Sequence, residues 1–226
     1  MPFTYAAMMT QMATILQDNG NVRWTAPEMK GWIDLALVDI HTMKSNAKVD
    51  VVSHPLVAGV KQSLNPQYAM VIRFARNTSG QAIRMLDNLE TLDHWQIGWA
   101  SLPGSATVQF VYHDPRAPRQ FTVCPPAAAG ASLDMEVGVA PTPAAAPNGA
   151  DALDMTKYTA AVDIPDQYRG AVLHLALSRA FLKDGDSQAG AAQAQGHEAK
   201  GNKIVADIAA GELALLAGSR AGRQAG

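Results

Sequence analysis

Behind Thr25-Ala26-Pro27-Glu28 the apolar positions Met29, Trp32, Ile33, Ala36, Leu37, Ile40 and Met43 recur at steps of three and four. That spacing places them on one face of an α-helix. The helix carries its own start signal: Thr25 at the cap, Glu28 three residues on, and Pro27 in a first turn where its missing N–H would be unpaired anyway. A shorter helix is predicted from about Tyr5 to Gln17, closed by the turn residues Asp18-Asn19-Gly20-Asn21, so the chain opens on an αα-hairpin. From Val49 the pattern changes. Val49–Val52, Tyr68–Phe74 and Val108–Tyr112 are short runs rich in β-branched and aromatic residues, and Ser132–Val139 alternates as one more strand. Between Tyr112 and Gln120-Phe121-Thr122-Val123 the two prolines of His113-Asp114-Pro115-Arg116-Ala117-Pro118 predict a hairpin with a polar, exposed loop.

Residues 141–154 begin with Pro141-Thr142-Pro143-Ala144-Ala145-Ala146-Pro147, a semi-extended spacer without core-forming side chains. A third helix opens at Asp163-Ile164-Pro165-Asp166 and ends at Lys183-Asp184-Gly185-Asp186. Tyr168, Val172, Leu175, Arg179 and Leu182 form one stripe on it, and Leu173, Leu177, Ala180 and Phe181 another, which predicts packing on two sides. A fourth helix, about Ser187 to Ala210, places Ala189, Ala192, Gly196 and Ala199 on one face. Such a face lets helices approach closely but supplies little apolar area, and glycines at 190, 196 and 201 each cost up to about 1 kcal/mol against alanine. This helix therefore needs neighbours, which other subunits could provide. Residues 212–226 carry Arg220 and Arg223 with little core pattern and are expected to form a flexible tail.

Composition narrows the function. At 226 residues, 48% hydrophobic and 17% charged, the chain is globular, and a net charge of −2 gives no general footprint for gripping nucleic acid. Cys124 is the only cysteine, so no intrachain disulfide forms and no oxidising compartment is implied. No positively charged signal-peptide start or membrane-length apolar run is present, and synthesis in a cytoplasm is expected. The six histidines, at 41, 54, 94, 113, 174 and 197, lie in no metal-ligand spacing, and no cofactor is expected. His174 reads as a hydrogen-bonded packing residue, and His113-Asp114 as turn chemistry rather than a base with its orienting carboxylate. Gly196-His197-Glu198-Ala199-Lys200-Gly201-Asn202-Lys203 looks like a phosphate loop, but Asn202 separates glycine from lysine and the segment lies inside a helix. Cys124 reads as an inert packing thiol, and Trp95 and Trp99 as satellite core.

Several stretches, in this order and spacing, resemble bacteriophage head-to-tail adaptor (connector) proteins of short-tailed phages. They are the capped helix with Trp32, Leu56–Leu64, Phe74-Ala75-Arg76-Asn77, His113-Asp114-Pro115 through Phe121–Pro126, and Ile164–Leu173 through Leu182-Lys183-Asp184 with Ala189–His197. The resemblance spans about residues 25–205. It implies an α+β fold: a discontinuous antiparallel helical bundle of about four helices, residues 1–46 and 155–211, with a small antiparallel β-sheet or barrel inserted over 47–140. It further implies a structural virion protein rather than an enzyme, assembled with itself as a ring, usually twelve-fold, at the head–tail junction. Its partners would be the portal protein, the tail nozzle protein and double-stranded DNA passing through the lumen without sequence-specific contact, with no membrane. On this reading Ala189, Ala192, Gly196, Ala199, Lys200, Lys203, Arg220 and Arg223 are candidates for the portal or subunit interface, and His113, Asp114, Pro115 and Arg116 for a contact made by the β-hairpin loop. Two other classes stay open at this stage. One is a carbohydrate- or receptor-binding tail module using Trp95 and Trp99, the other a virion-associated hydrolase around His94, His113 and Asp114.

Overall fold

The structure, a computed structural model, describes residues 2–183 and 188–224, with side chains as far as residue 215 in the last helix. It is α+β. Among the described residues five α-helices follow one another, α1 (Tyr5–Leu16), α2 (Ala26–Met43), α3 (Glu90–Trp95), α4 (Arg169–Leu182) and α5 (Gln188–Gln224). The strands are β1 (Val49–Pro55), β2 (Gly59–Ser63), β3 (Tyr68–Asn77), β4 (Arg84–Leu86), β5 (Phe110–Tyr112), β6 (Gln120–Ala127) and β7 (Ser132–Val139). The chain forms two compact units, Met1–Lys44 with Pro141–Gly226, and Ser45–Ala140.

In the first unit α1 and α2 pack together, and the turn between them is built by one side chain. The Asp18 carboxylate accepts the N–H groups of Val22, Arg23 and Trp24 at 3.1, 2.9 and 2.9 Å, and these bonds, Trp24's foremost, hold its pKa below the usual range. Trp24, so placed, donates its indole N–H to Ala180 O at 3.0 Å on α4. Glu28 Oε2 accepts from Thr25 N at 3.0 Å and Thr25 Oγ1 at 2.9 Å, which starts α2 where the sequence signal lies. Met29, Ile33, Ala36, Leu37 and Ile40 are buried, whereas Trp32 is half-buried and Met43 exposed.

α4 is preceded by a 3-10 turn at Asp166–Tyr168 and is buried on two faces, with Ala171, Val172, Leu173, Leu175, Ala176, Leu177, Ser178 and Ala180 inside. Residues 184–187, which include part of the expected helix stop and the expected start of the next helix, lie outside the described residues. One expectation for α5 changes. The helix runs to Gln224, past Ala210, so the terminal stretch expected to be a flexible tail is helical through Gln224. A helix needs only continuous i→i−4 bonding, which the alanines and leucines of 212–217 favour even where no apolar stripe can be read. The small-residue face is turned to solvent. Gly190, Ala194, Gly201 and Val205 are buried, while Ala189, Ala192, Gly196 and Ala199 are exposed.

The Pro/Ala segment lies along the helical unit. Pro141, Ala144 and Pro147 are half-buried and the residues between them exposed, the three-residue period of a polyproline helix. Thr142 N donates to Asp163 Oδ2 at 2.7 Å.

The second unit holds two sheets, of order β1-β7-β3 and β2-β6-β5-β4. Residues from both share one core, including Val71, Phe74, Val111, Phe121, Val123, Leu133, Met135 and Val137. The other face of β6 and β5 carries a smaller cluster of Leu92, Trp99 and Cys124, with Leu86, Leu102 and Phe110 against it. The pairings are antiparallel except β4 with β5, which is parallel, a departure from the all-antiparallel expectation. It arises because the segment between these two strands holds α3 and a 3-10 turn, a crossover rather than a tight turn. β6 also continues through Pro125 and Pro126, beyond the expected run Gln120–Val123. Pro126 contributes its carbonyl, which accepts from Ser105 N at 2.8 Å.

Candidate functional site: the outward faces of the helical unit

α4 is clasped from two sides. On one, Gly201 of α5 approaches so closely that a Cβ there would lie 2.7 Å from Leu175 Cγ, and His174 Nδ1 meets His197 Nδ1 at 2.9 Å. His197 also stacks on Phe181, with ring centroids 5.3 Å apart. Burial lowers the pKa of both histidines, and Lys200 nearby adds to it. His174 is thus the hydrogen-bonded packing residue expected; its partner was not, because the two are 23 positions apart on different helices.

On the other side of α4, Arg179 reaches Asp39 of α2 at 2.5 Å and Lys183 reaches Glu28 at 2.7 Å. The Lys183 ammonium is the main cause holding Glu28 below the usual carboxylate range. α5 is met by Ala171, His174 and Leu175 of α4, and α2 by Arg179 and, just past the end of α4, Lys183; Leu175 and Arg179 are one turn apart, so the two flanking helices border a common face of α4. A groove of about 370 Å³ runs over α4 between them, lined by Asp39, Met43, Leu175, Arg179, Leu182 and Glu198 among others. The Asp39–Arg179 ion pair crosses it, and its walls mix apolar side chains (Met43, Leu175, Leu182) with polar ones (Thr42, Ser178, Glu198, Asn202).

The outward faces of the flanking helices are unpartnered within the described residues. On α5 the face opposite α4 carries Ala189, Ala192, Gly196, Ala199 and Lys203, all exposed, with open space above Gly196. Lys200 is exposed, and Lys203 pairs with Asp207 at 2.7 Å. Further along, Lys44 ties Glu212 at 2.7 Å, and beyond it Leu213 and Leu215 are 67% and 76% exposed. Arg220 and Arg223 are in the helix, but their side chains lie outside the described residues. On α2 the outward face carries Gly31, Leu35, Val38 and Thr42, with Leu35 49% and Val38 55% exposed. Sequence reading missed this face because the inward stripe of α2 is the stronger signal; the steps Gly31, Leu35, Val38, Thr42 were there to be read.

In the second unit the His113–Arg116 segment forms the β5–β6 loop, with Pro115 and Arg116 exposed. Asp114 Oδ1 accepts from Arg116 N at 2.9 Å and Arg116 Nε at 3.3 Å, and the backbone bond above all lowers its pKa. That is turn chemistry. His113 instead packs edge-on to Phe74, centroids 6.0 Å apart. His94 lies exposed on α3. Cys124 is buried, and burial raises its pKa, as an inert packing thiol requires. The two tryptophans part company. Trp99 is buried and donates to Asp93 Oδ1 at 2.8 Å, whereas Trp95 is 65% exposed against the edge of Phe110, because the short α3 ends there. Among the described residues no group of three or more His, Cys, Asp or Glu could hold a metal, and no helix is long and apolar enough to cross a membrane.

An α+β chain whose features of interest are open helix faces rather than a cluster of reactive groups is built like an assembly subunit, and the resemblance to phage head-to-tail adaptors points the same way. Residues 3–224 match the family model described as SU10 adaptor protein, and the chain belongs to that family. It is a bacteriophage adaptor, hence a virion component that interacts with other head and tail proteins. No curated protein matches the chain.

Proposed function

We propose that this adaptor is a structural, non-enzymatic subunit of a closed ring that joins the portal to the tail nozzle and surrounds the DNA path. The observation that carries the reading is α5. Its length, about 55 Å at 1.5 Å per residue, exceeds by far what the 14-residue α4 can cover, and beyond Glu212 it presents Leu213 and Leu215 to solvent. A helix end that leaves Leu213 and Leu215 exposed is a docking element, and the portal is its proposed receptor, with Arg220 and Arg223 completing the contact. The small face of Ala189, Ala192, Gly196, Ala199, Lys200 and Lys203 is assigned to neighbouring subunits, and the loop at His113–Arg116 to the tail. A net charge of −2 suits a channel that must let DNA slide, because each neutralised phosphate would add affinity through counterion release. Mixing the full chain with its cognate portal and viewing the product by electron microscopy tests the assignment. Rings capping the portal are expected, and portals that stay bare at saturating protein overturn it.

One observation favours a second reading. Trp95 and Ile97, 65% and 96% exposed, form an apolar tip beside Phe110 that a carbohydrate or receptor-binding module could use. Trp95→Ala would then abolish glycan binding while leaving ring formation on the portal intact; no glycan binding by the parent chain disposes of it.

A further inference from the structure

We infer that the outward face of α2 in one copy docks on the outward face of α5 in the next, so that the chain assembles head to tail. The inference rests on the ring reading above and supplies its subunit contact.

Three observations carry it. The first is shape. Gly31, Leu35, Val38 and Thr42 step by four, three and four along α2, and Ala189, Ala192, Gly196, Ala199 and Lys203 step by three, four, three and four along α5. Both are seven-residue repeats on exposed faces, the spacing at which two helices cross at about 20° with side chains of one in the holes of the other. One face offers knobs, Leu35 and Val38; the other offers holes, with nothing within 4 Å of a Cβ at Gly196. Two copies of the α2 face would set knob on knob, and two copies of the α5 face would meet with almost no apolar area. The large-to-small pairing is the one that fills space.

The second is direction. α4 is held to α5 through Gly201 and His197 and to α2 through Asp39 and Glu28, and the two stripes are made of residues that take part in none of these contacts. Two different patches on one unit make a heterologous contact, which propagates from copy to copy instead of stopping at a dimer.

The third is charge. The α2 stripe is flanked by Glu28, Asp34 and Asp39, and the α5 stripe carries Lys200 and Lys203. The acids already hold Lys183, Lys30 and Arg179, and Lys203 already holds Asp207, so the contact joins existing pairs into networks to which Lys200 adds a further cation. Four turns of one helix pair fall short of the roughly 800 Å² per partner of a standard interface. Contact between free copies is therefore weak, and a template that lines the subunits up would complete the ring.

Paired cysteines test the contact, since Cys124 is the only native one and is buried. Val38→Cys and Gly196→Cys occupy the centres of the two stripes, where they meet whichever way the helices run. With a short bismaleimide, the full chain carrying both is expected to give a ladder of dimers, trimers and higher species at rising protein concentration. Either single variant should remain monomeric, and an equal mixture of the two should stop at dimer. Leu35→Glu added to the double variant should erase the ladder with an unchanged circular dichroism spectrum, because Leu35 is half exposed in the free chain. Cross-linking of a single variant to itself, or no ladder at any concentration, overturns the pairing. Ring formation on the portal is read separately. Rings without a ladder discard this contact and keep the adaptor reading, whereas a ladder with bare portals keeps the contact and discards the portal assignment.

Discussion

At the scale of single residues, the contact of His174 with His197 sets a pH dependence. One Nδ1–H donates to the other Nδ1 at 2.9 Å, so the pair accommodates neutral rings but not two ring cations. Burial, with the Lys200 charge, holds both pKa values below the ordinary value of about 6.5. The sign follows from proton counting. Below about pH 6.5 the unfolded chain binds protons that the folded one refuses, so stability is fully present above that pH and falls as the pH drops through the window below it. His41 and His54 are lowered by burial too and share the window. His197→Gln isolates one member. Thermal melts from pH 7.5 to 5 are expected to show a shallower decline for the variant, by at most one proton, about 1.4 kcal/mol per pH unit. Parallel curves would show that the pair does not titrate as described.

At the scale of elements, α5 shows why glycines must be read in place. Gly201 and Gly211 carry the same intrinsic cost in a helix, about 1 kcal/mol against alanine. A Cβ at 211 meets nothing within 4 Å, but at 201 it would press within 3 Å of two Leu175 carbons. Gly211→Ala should therefore stabilise the protein by up to about 1 kcal/mol. Gly201→Ala should destabilise it, because overpacking costs about 1–3 kcal/mol; denaturant midpoints with equal slopes would check both, and two shifts of the same sign would refute the assignment. The same contrast marks what could be read in the chain. The capped start of α2, the packing of α4 on two faces and the β-rich middle were legible because each is a local signal: a cap, a period, a run of β-branched residues; Leu182, read as part of one stripe, is exposed at the helix end. The inward face of α5 was not, because alanine and glycine lie on all its faces, and only contact with Leu175 and His174 picks out Gly201 and His197. β4 escaped notice because three residues carry no period, and the parallel β4–β5 pairing is a long-range choice. The face of small residues was legible as a set, while its outward direction was not.

At the scale of the molecule, the second unit enters and leaves its host through one strand pair. β1 and β7 are antiparallel with Val49 opposite Gly138, and Val139 N donates to Lys48 O at 3.1 Å. Chain ends held this way are about 5 Å apart, a gap that a two-residue turn closes. Replacing residues 49–138 by Asn-Gly should then leave α1, α2, α4 and α5 folded, since their mutual contacts, Trp24 to Ala180, Asp39 to Arg179, His174 to His197 and Lys44 to Glu212, all lie within the helical unit. The shortened chain is expected to melt cooperatively with the helical content of the parent's helices retained. Carrying Val38→Cys and Gly196→Cys, it should give the same cross-linked ladder, because both proposed faces belong to that unit. A shortened chain that fails to fold would show that the helices depend on the excised strands. One that folds and does not ladder would place residues 49–138 in the subunit contact and remove the helix faces from it.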